Sequence, residues 1–179
     1  MRKEGIFDEL LLLKIKQGDT RAFELLVKRW NKRLLSFTYK YTKSTEIAKD
    51  IVQDSWLAVY KGIDKLKDPS KFSTWTFRIV YNKIMDWAKN QQKEQTYANE
   101  VAGSDEVEER TEEIDINQFL EKLPSAQKAI LTLFYLEKQS IKQIAEILDV
   151  PSGTIKSRIF YARERLKNII KKSNYERIR

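Results

Sequence analysis

The chain has 179 residues, with 34 lysines and arginines against 26 aspartates and glutamates, a net charge of +8 and a pI near 9.5. It has no cysteine and no histidine, which removes disulfides, zinc-finger ligand sets, thiol nucleophiles and imidazole bases, and with them most metal and triad enzymes. The longest apolar run falls far short of the roughly 20 residues that cross a bilayer, and the N-terminus lacks the apolar core and small-residue cleavage site of a signal peptide. A cytoplasmic protein with no membrane insertion is therefore expected.

Five glycines and three prolines, with few alternating apolar runs, predict an all-α chain. A first helix over about 6–17 ends at Gly18, and Asp19 is placed to cap the next one. That second helix, to about residue 42, carries Phe23, Leu26, Val27, Trp30, Leu34, Phe37 and Tyr41 at three-and-four spacing, the periodicity of a core face. A third helix over 46–62 buries Ala48, Ile51, Val52, Ser55 and Val59 and leaves Lys49, Asp50, Gln53 and Asp54 on a polar face. The segment from Asp64 through Lys67 to Lys71 includes Asp68-Pro69-Ser70, a turn sequence.

The fourth helix, from Phe72 or Ser73 to about residue 93, has two unlike faces. Phe77, Val80, Ile84, Trp87 and Ala88 make one, and Arg78, Asn82, Asp86 and Asn90 make an i, i+4 stripe on the other. Asparagine side chains pair with base edges, and Lys83 and Lys89 stand close enough to engage phosphates. Phe72, Trp75 and Tyr81 suit either stacking on exposed bases or core packing.

Charge is distributed in blocks. Residues 1–97 hold 20 basic and 12 acidic side chains, 98–117 hold 1 and 8, and 118–179 hold 13 and 6. Two basic units thus flank an acidic segment poor in large apolar groups, which predicts two small domains joined by a flexible linker. Each basic block is able to release counterions from a phosphate backbone.

The last unit reads as a helix-turn-helix. Ile141, Ile144, Ala145 and Leu148 share one helical face, residues 149–153 break the helix around Pro151, and Ile155, Ile159, Ala162 and Leu166 form the apolar stripe of the next helix. Opposite that stripe lie Lys156, Ser157, Phe160, Tyr161 and Glu164, with Arg163 on a flank and Thr154 at the start. Two aromatics turned away from the core fit a major-groove reader; the competing reading is packing on another domain or on a dimer partner.

Four motifs in order, Ala48-Lys49-Asp50-Ile51-Val52-Gln53-Asp54, then residues 71–82 with the run Lys71-Phe72-Ser73-Thr74-Trp75, then Leu123-Pro124, then residues 144–148 with 153–158, resemble those of the extracytoplasmic-function (ECF) sigma factors of the sigma-70 family. The resemblance implies two helical domains, region 2 over 1–97 and region 4 over 118–179, separated by the acidic linker 98–117. It implies bacterial core RNA polymerase, promoter DNA and an anti-sigma factor as partners, with no cofactor and no enzymatic step. Asp50, Gln53, Asp54 and Trp56 would meet polymerase. Asp64, Lys67, Lys71, Phe72, Arg78, Asn82, Lys83 and Asp86 would serve the −10 element, and Thr154, Lys156, Ser157, Phe160, Tyr161 and Arg163 the −35 element. A stand-alone helix-turn-helix regulator is the alternative; it has no use for the polar stripe on the fourth helix.

Overall fold

A computed structural model describes the backbone of residues 2–97 and 116–177 and the side chains of 5–91 and 118–173. Every regular element among them is helical. Helix α1 (Arg2–Lys16) buries Leu11 and Leu12. It is pinned to α2 (Thr20–Thr42) by Asp8, whose two oxygens accept from Arg29 Nε at 3.0 Å and Trp30 Nε1 at 3.1 Å. Gly18, at φ +90°, turns the chain between them in a region that side chains with a Cβ enter at a cost, and Asp19 caps α2 by accepting from the Ala22 amide.

Ser44 caps α3 (Thr45–Gly62) by accepting from the Ile47 amide. Two hydroxyls inside the bundle bond to the carbonyl one turn back, Thr38 to Leu34 at 2.8 Å and Ser55 to Ile51 at 2.7 Å, so neither is buried unsatisfied. The expected turn becomes two short 3-10 segments, Ile63–Lys65 and Pro69–Lys71. Helix α4 (Phe72–Tyr97) follows, running past its expected end near residue 93. Leu26, Leu34, Phe37, Val59, Phe72, Phe77, Val80 and Ile84 are almost wholly buried, and Trp30 against Phe72 and Phe37 against Phe77 meet edge to face with centroids 5.3 and 5.2 Å apart.

The acidic segment lies outside the described residues until residue 116, where α5 (Ile116–Glu121) begins; the expected linker end at 117 is thus already helical. Next come α6 (Ser125–Leu131), a π-helical turn (Thr132–Leu136), α7 (Ile141–Leu148) and the long α8 (Ser152–Arg177). Phe119, Leu120, Leu123, Leu131, Ala162 and Leu166 form a small cluster of their own. Ile130, Leu133, Ile144, Ile147, Ile155 and Ile159 do not: they continue the buried cluster of α2, α3 and α4. Helices of six to eight residues, such as α5, α6 and α7, are too short to hold or bury a face alone, so this unit completes its core on its neighbour.

Candidate nucleic-acid interface

Three surfaces carry the candidate residues. On α3, Asp50, Gln53 and Asp54 are exposed and share one face with Leu57, which is exposed too. Tyr60 stands out beside them. Trp56, expected to contact polymerase with them, is corrected by the structure: it is only 8% exposed, donates from Nε1 to Asn31 Oδ1 at 3.2 Å, and meets the edge of Phe23. It holds α3 against α2. The helix period explains the difference, since Trp56 follows Ser55 and precedes Val59 on the inward side. Beside this face α2 carries a trough of about 600 Å³ in which Phe23, Val27 and Leu35 alternate with Glu24, Lys28, Asn31 and Lys32.

The second surface is the outer side of α4 with the loop before it. Arg78, Asn82, Asp86 and Asn90 are all exposed, as the i, i+4 stripe predicts. Lys83 is half-buried and paired with Asp54 of α3 at 3.5 Å, so two residues expected in different sites are neighbours. Phe72 is a second correction. At 1% exposure it packs on Trp30 and has no face left for a base. Trp75 takes the open position instead, walling a hollow of about 410 Å³ with Gly62, Lys65, Leu66, Lys67, Asp68 and Lys71.

Lys67 and Lys71 are exposed at this rim, and Asp64 is exposed without lining the hollow. Asp68 shapes it: Oδ1 accepts from the Ser70 amide at 3.0 Å and the Ser70 hydroxyl at 2.7 Å, and these bonds hold its carboxyl below the usual range. Lys16 Nζ donates to the Leu66 carbonyl, tying the loop to α1. Gly62 lets the indole close in, since a Cβ there would stand 2.9 Å from Trp75 Cζ2. The sequence offered Trp75 as an aromatic of either role; its wall position depends on the loop's path, which no local pattern encodes.

The third surface is the first half of α8. Ser140 and Gln143 form a reciprocal capping box at the start of α7, and Asp149, left-handed at φ 55°, ends that helix and swings the chain into α8. Ile155, Ile159, Ala162 and Leu166 are buried as predicted. Lys156, Ser157 and Arg163 are exposed and Thr154 is half-buried; the Ser157 hydroxyl donates to the Thr154 carbonyl at 3.0 Å. Phe160 and Tyr161 are 61% and 65% exposed and form an edge-to-face pair 5.5 Å apart, an apolar step projecting into solvent.

Among the described residues no cluster of acidic side chains is placed to hold a metal ion, and no helix is long and apolar enough to cross a membrane. The family model for sigma-70 region 2 matches residues 26–94, covering α2 to α4. That for sigma-70 region 4 matches 114–166, covering the helix-turn-helix. The ECF RNA polymerase sigma-E factor of Haemophilus influenzae is 33% identical over 93% of this chain and 97% of its own length. The sigma-E factor of Salmonella typhimurium is 30% identical over 92% and 95%.

Two solved structures share the fold. CnrH, in complex with the cytosolic domain of CnrY, aligns over 92% of this chain and 97% of its own at TM-score 0.68 and 23% identity. RpoE from Bartonella quintana, in complex with the anti-sigma factor NepR, aligns over 85% and 98% at TM-score 0.71 and 22% identity. With both sigma regions matched in order and a relative 33% identical over 97% of its own length, the chain belongs to the ECF sigma factors of the sigma-70 family.

Proposed function

We propose that the chain is a promoter-specificity subunit: it binds bacterial core RNA polymerase, reads the −35 element as duplex and opens the −10 element. The observation that carries this reading is the coexistence, on one chain of this family, of the α3 face, the α4 stripe with its Trp75-walled hollow, and the α8 aromatic step. A stand-alone regulator needs only the last. The work is done by binding, without an enzymatic step or cofactor, in the cytoplasm where polymerase and DNA are.

The exposed face of α3, with Asp50, Gln53, Asp54 and the newly apparent Leu57, supplies the polymerase contact. Extruding a base costs a few kcal/mol of stacking. Stacking on an aromatic contributes about 1–3 kcal/mol per base, so one captured base offsets much of that cost. Trp75 provides the aromatic wall, Asn82 and Asp86 the polar edge, and Asp64, Lys67, Lys71 and Arg78 surround the strand. On α8, Phe160 and Tyr161 meet thymine methyls or sugar edges in the major groove, while Lys156, Arg163, Ser157 and Thr154 hold phosphate or base edges. An anti-sigma factor is the expected antagonist, as NepR is for its partner by description.

Run-off transcription with purified core polymerase tests the reading. Discrete promoter-initiated transcripts that require the chain are expected; a chain that binds promoter DNA by itself but never redirects core enzyme is a regulator of the alternative kind.

A further inference from the structure

Helix α1 is apolar on two sides, and the bundle uses one of them. Leu11 and Leu12 face inward and are buried, beside Asp8 on its two α2 donors. Ile6, Leu10 and Leu13 face the opposite way and remain between 48% and 61% exposed. Phe7, on the flank, has the Arg29 guanidinium 4.8 Å from its ring centroid, and Leu25 is exposed one turn before Arg29 on α2. A patch of this make-up, on the order of a few hundred Å², has the size that marks interaction sites on monomers. None of the three candidate surfaces includes it, and α1 precedes the stretch that the region 2 family model matches.

The spacing of the stripe indicates what covers it. Ile6, Leu10, Leu13 and Gln17 follow one another at intervals of four, three and four, the a and d positions of a heptad seam, which fits one facing helix. Glu9 and Lys14 fall at the g and e positions on its two edges. Neither side chain has an ion-pair partner among the described residues. A second copy lying alongside in the same direction pairs Glu9 with the partner's Lys14, and by symmetry Lys14 with the partner's Glu9. The same register stacks Ile6, Leu10 and Leu13 on their own counterparts and leaves the polar Gln17 pair at the open end. An antiparallel copy would instead set Ile6 against Gln17 and turn Glu9 toward Lys16, whose ammonium already donates to the Leu66 carbonyl. Three turns of seam would not hold two free peptides together, but α1 is ordered beforehand by its packing on α2.

We propose that this outer face of α1 is a self-association surface, on which two copies of the chain pair through parallel α1 helices about a two-fold axis. Leu10 and Leu13 form its centre and two Glu9–Lys14 pairs its edges. The facing patches with their flanking stems bury on the order of 1,000 Å² in total, at the low end of specific interfaces, so the dimer forms at micromolar concentration and dissociates on dilution. The pairing does not depend on the sigma reading.

Sedimentation of the full chain from low to high micromolar concentration tests this. The mass should rise from the 21.3 kDa of the monomer toward twice that value. Leu10→Lys should stay monomeric throughout, with helicity by circular dichroism unchanged because about half of that side chain already meets water. Glu9→Lys and Lys14→Glu should each weaken association several-fold. An equimolar mixture of those two variants should associate more tightly than either alone, because each edge of the mixed dimer then carries one lysine and one glutamate; these charge variants decide the matter should Leu10→Lys lose helicity. A parent that stays monomeric at every concentration overturns the proposal, as does association that survives Leu10→Lys or a mixture no tighter than the single variants. Flotation with phosphatidylglycerol vesicles covers the remaining occupant: a monomer that binds them, and loses them in Leu10→Lys, uses the face on a lipid surface and not on a second copy.

Discussion

At Gly62 a methyl group would press on Trp75 Cζ2 at 2.9 Å, while the backbone there, at φ −104°, is open to any residue. Gly62→Ala should therefore change the fold's stability by less than about 1 kcal/mol yet displace the indole and cut −10 opening, read by permanganate reactivity, by about tenfold or more, as ångström-scale misplacements do. Asn82→Ala and Asp86→Ala remove exposed groups from the outer stripe of α4; each should impair opening while shifting thermal stability by no more than about 0.5 kcal/mol. Phe72→Ala is the contrast. Its ring fills the core, so a loss of roughly 3–5 kcal/mol is expected, and unfolding will precede any DNA effect. Asp149→Gly relieves a left-handed residue worth about 1 kcal/mol, against an exposed ion pair with Arg78 worth less than that; calorimetry should show a small rise in melting temperature.

Among elements, α8 separates reading from holding. Phe160 and Tyr161 touch nothing in the core, so replacing either with Ala should spare stability and change the preference among −35 sequences. If Lys156 holds phosphate, Lys156→Ala should weaken all sequences alike and lower the salt slope by about one unit. Binding of the full chain in complex with core polymerase to a −35 library, over a salt series, measures both. Unchanged preference in both aromatic variants would give the pair a packing role on some other partner.

For the whole molecule, two small basic domains whose reading helices are held side by side should bind promoter duplex weakly alone and gain specificity with core polymerase, which sets their separation; a tight sequence-specific gel shift by the free chain would contradict this. Docking should also respond to pH. Burial, and then the neighbouring charge of Lys128, lowers the Lys43 ammonium from 10.5 to about 8, and burial lowers Lys128 too. The docked form then binds fewer protons than the open one between about pH 8 and 10.5, so docking is favoured as pH rises through that window. Burial is the larger cause, and two ammonium groups facing one carboxylate, Glu121, with the charge of Lys40 beside Lys43, add repulsion that losing one proton relieves. Energy transfer across the seam, between dyes on Glu46→Cys and Lys167→Cys, should increase from pH 7 to 9.5, and less so in Lys43→Met, where Lys128 alone remains to titrate.

The sequence by itself determined the helices and their inward faces, because three-and-four spacing, as in Ile155, Ile159, Ala162 and Leu166, and a cap such as Asp19 act within a few residues. Its ordered motifs also identified the family. It left Phe72 open between stacking and core packing and set Trp56 on the partner face, whereas both side chains pack inward against α2. Only the tertiary structure decided that Trp75 walls the loop hollow and that α7 closes its core on α4. The first depends on the path of the loop between Gly62 and Lys71, the second on contacts between residues 60 or more positions apart, such as Ser73 with Gln139 and Arg33 with Glu137, and local periodicity carries no information about which of several apolar faces will meet.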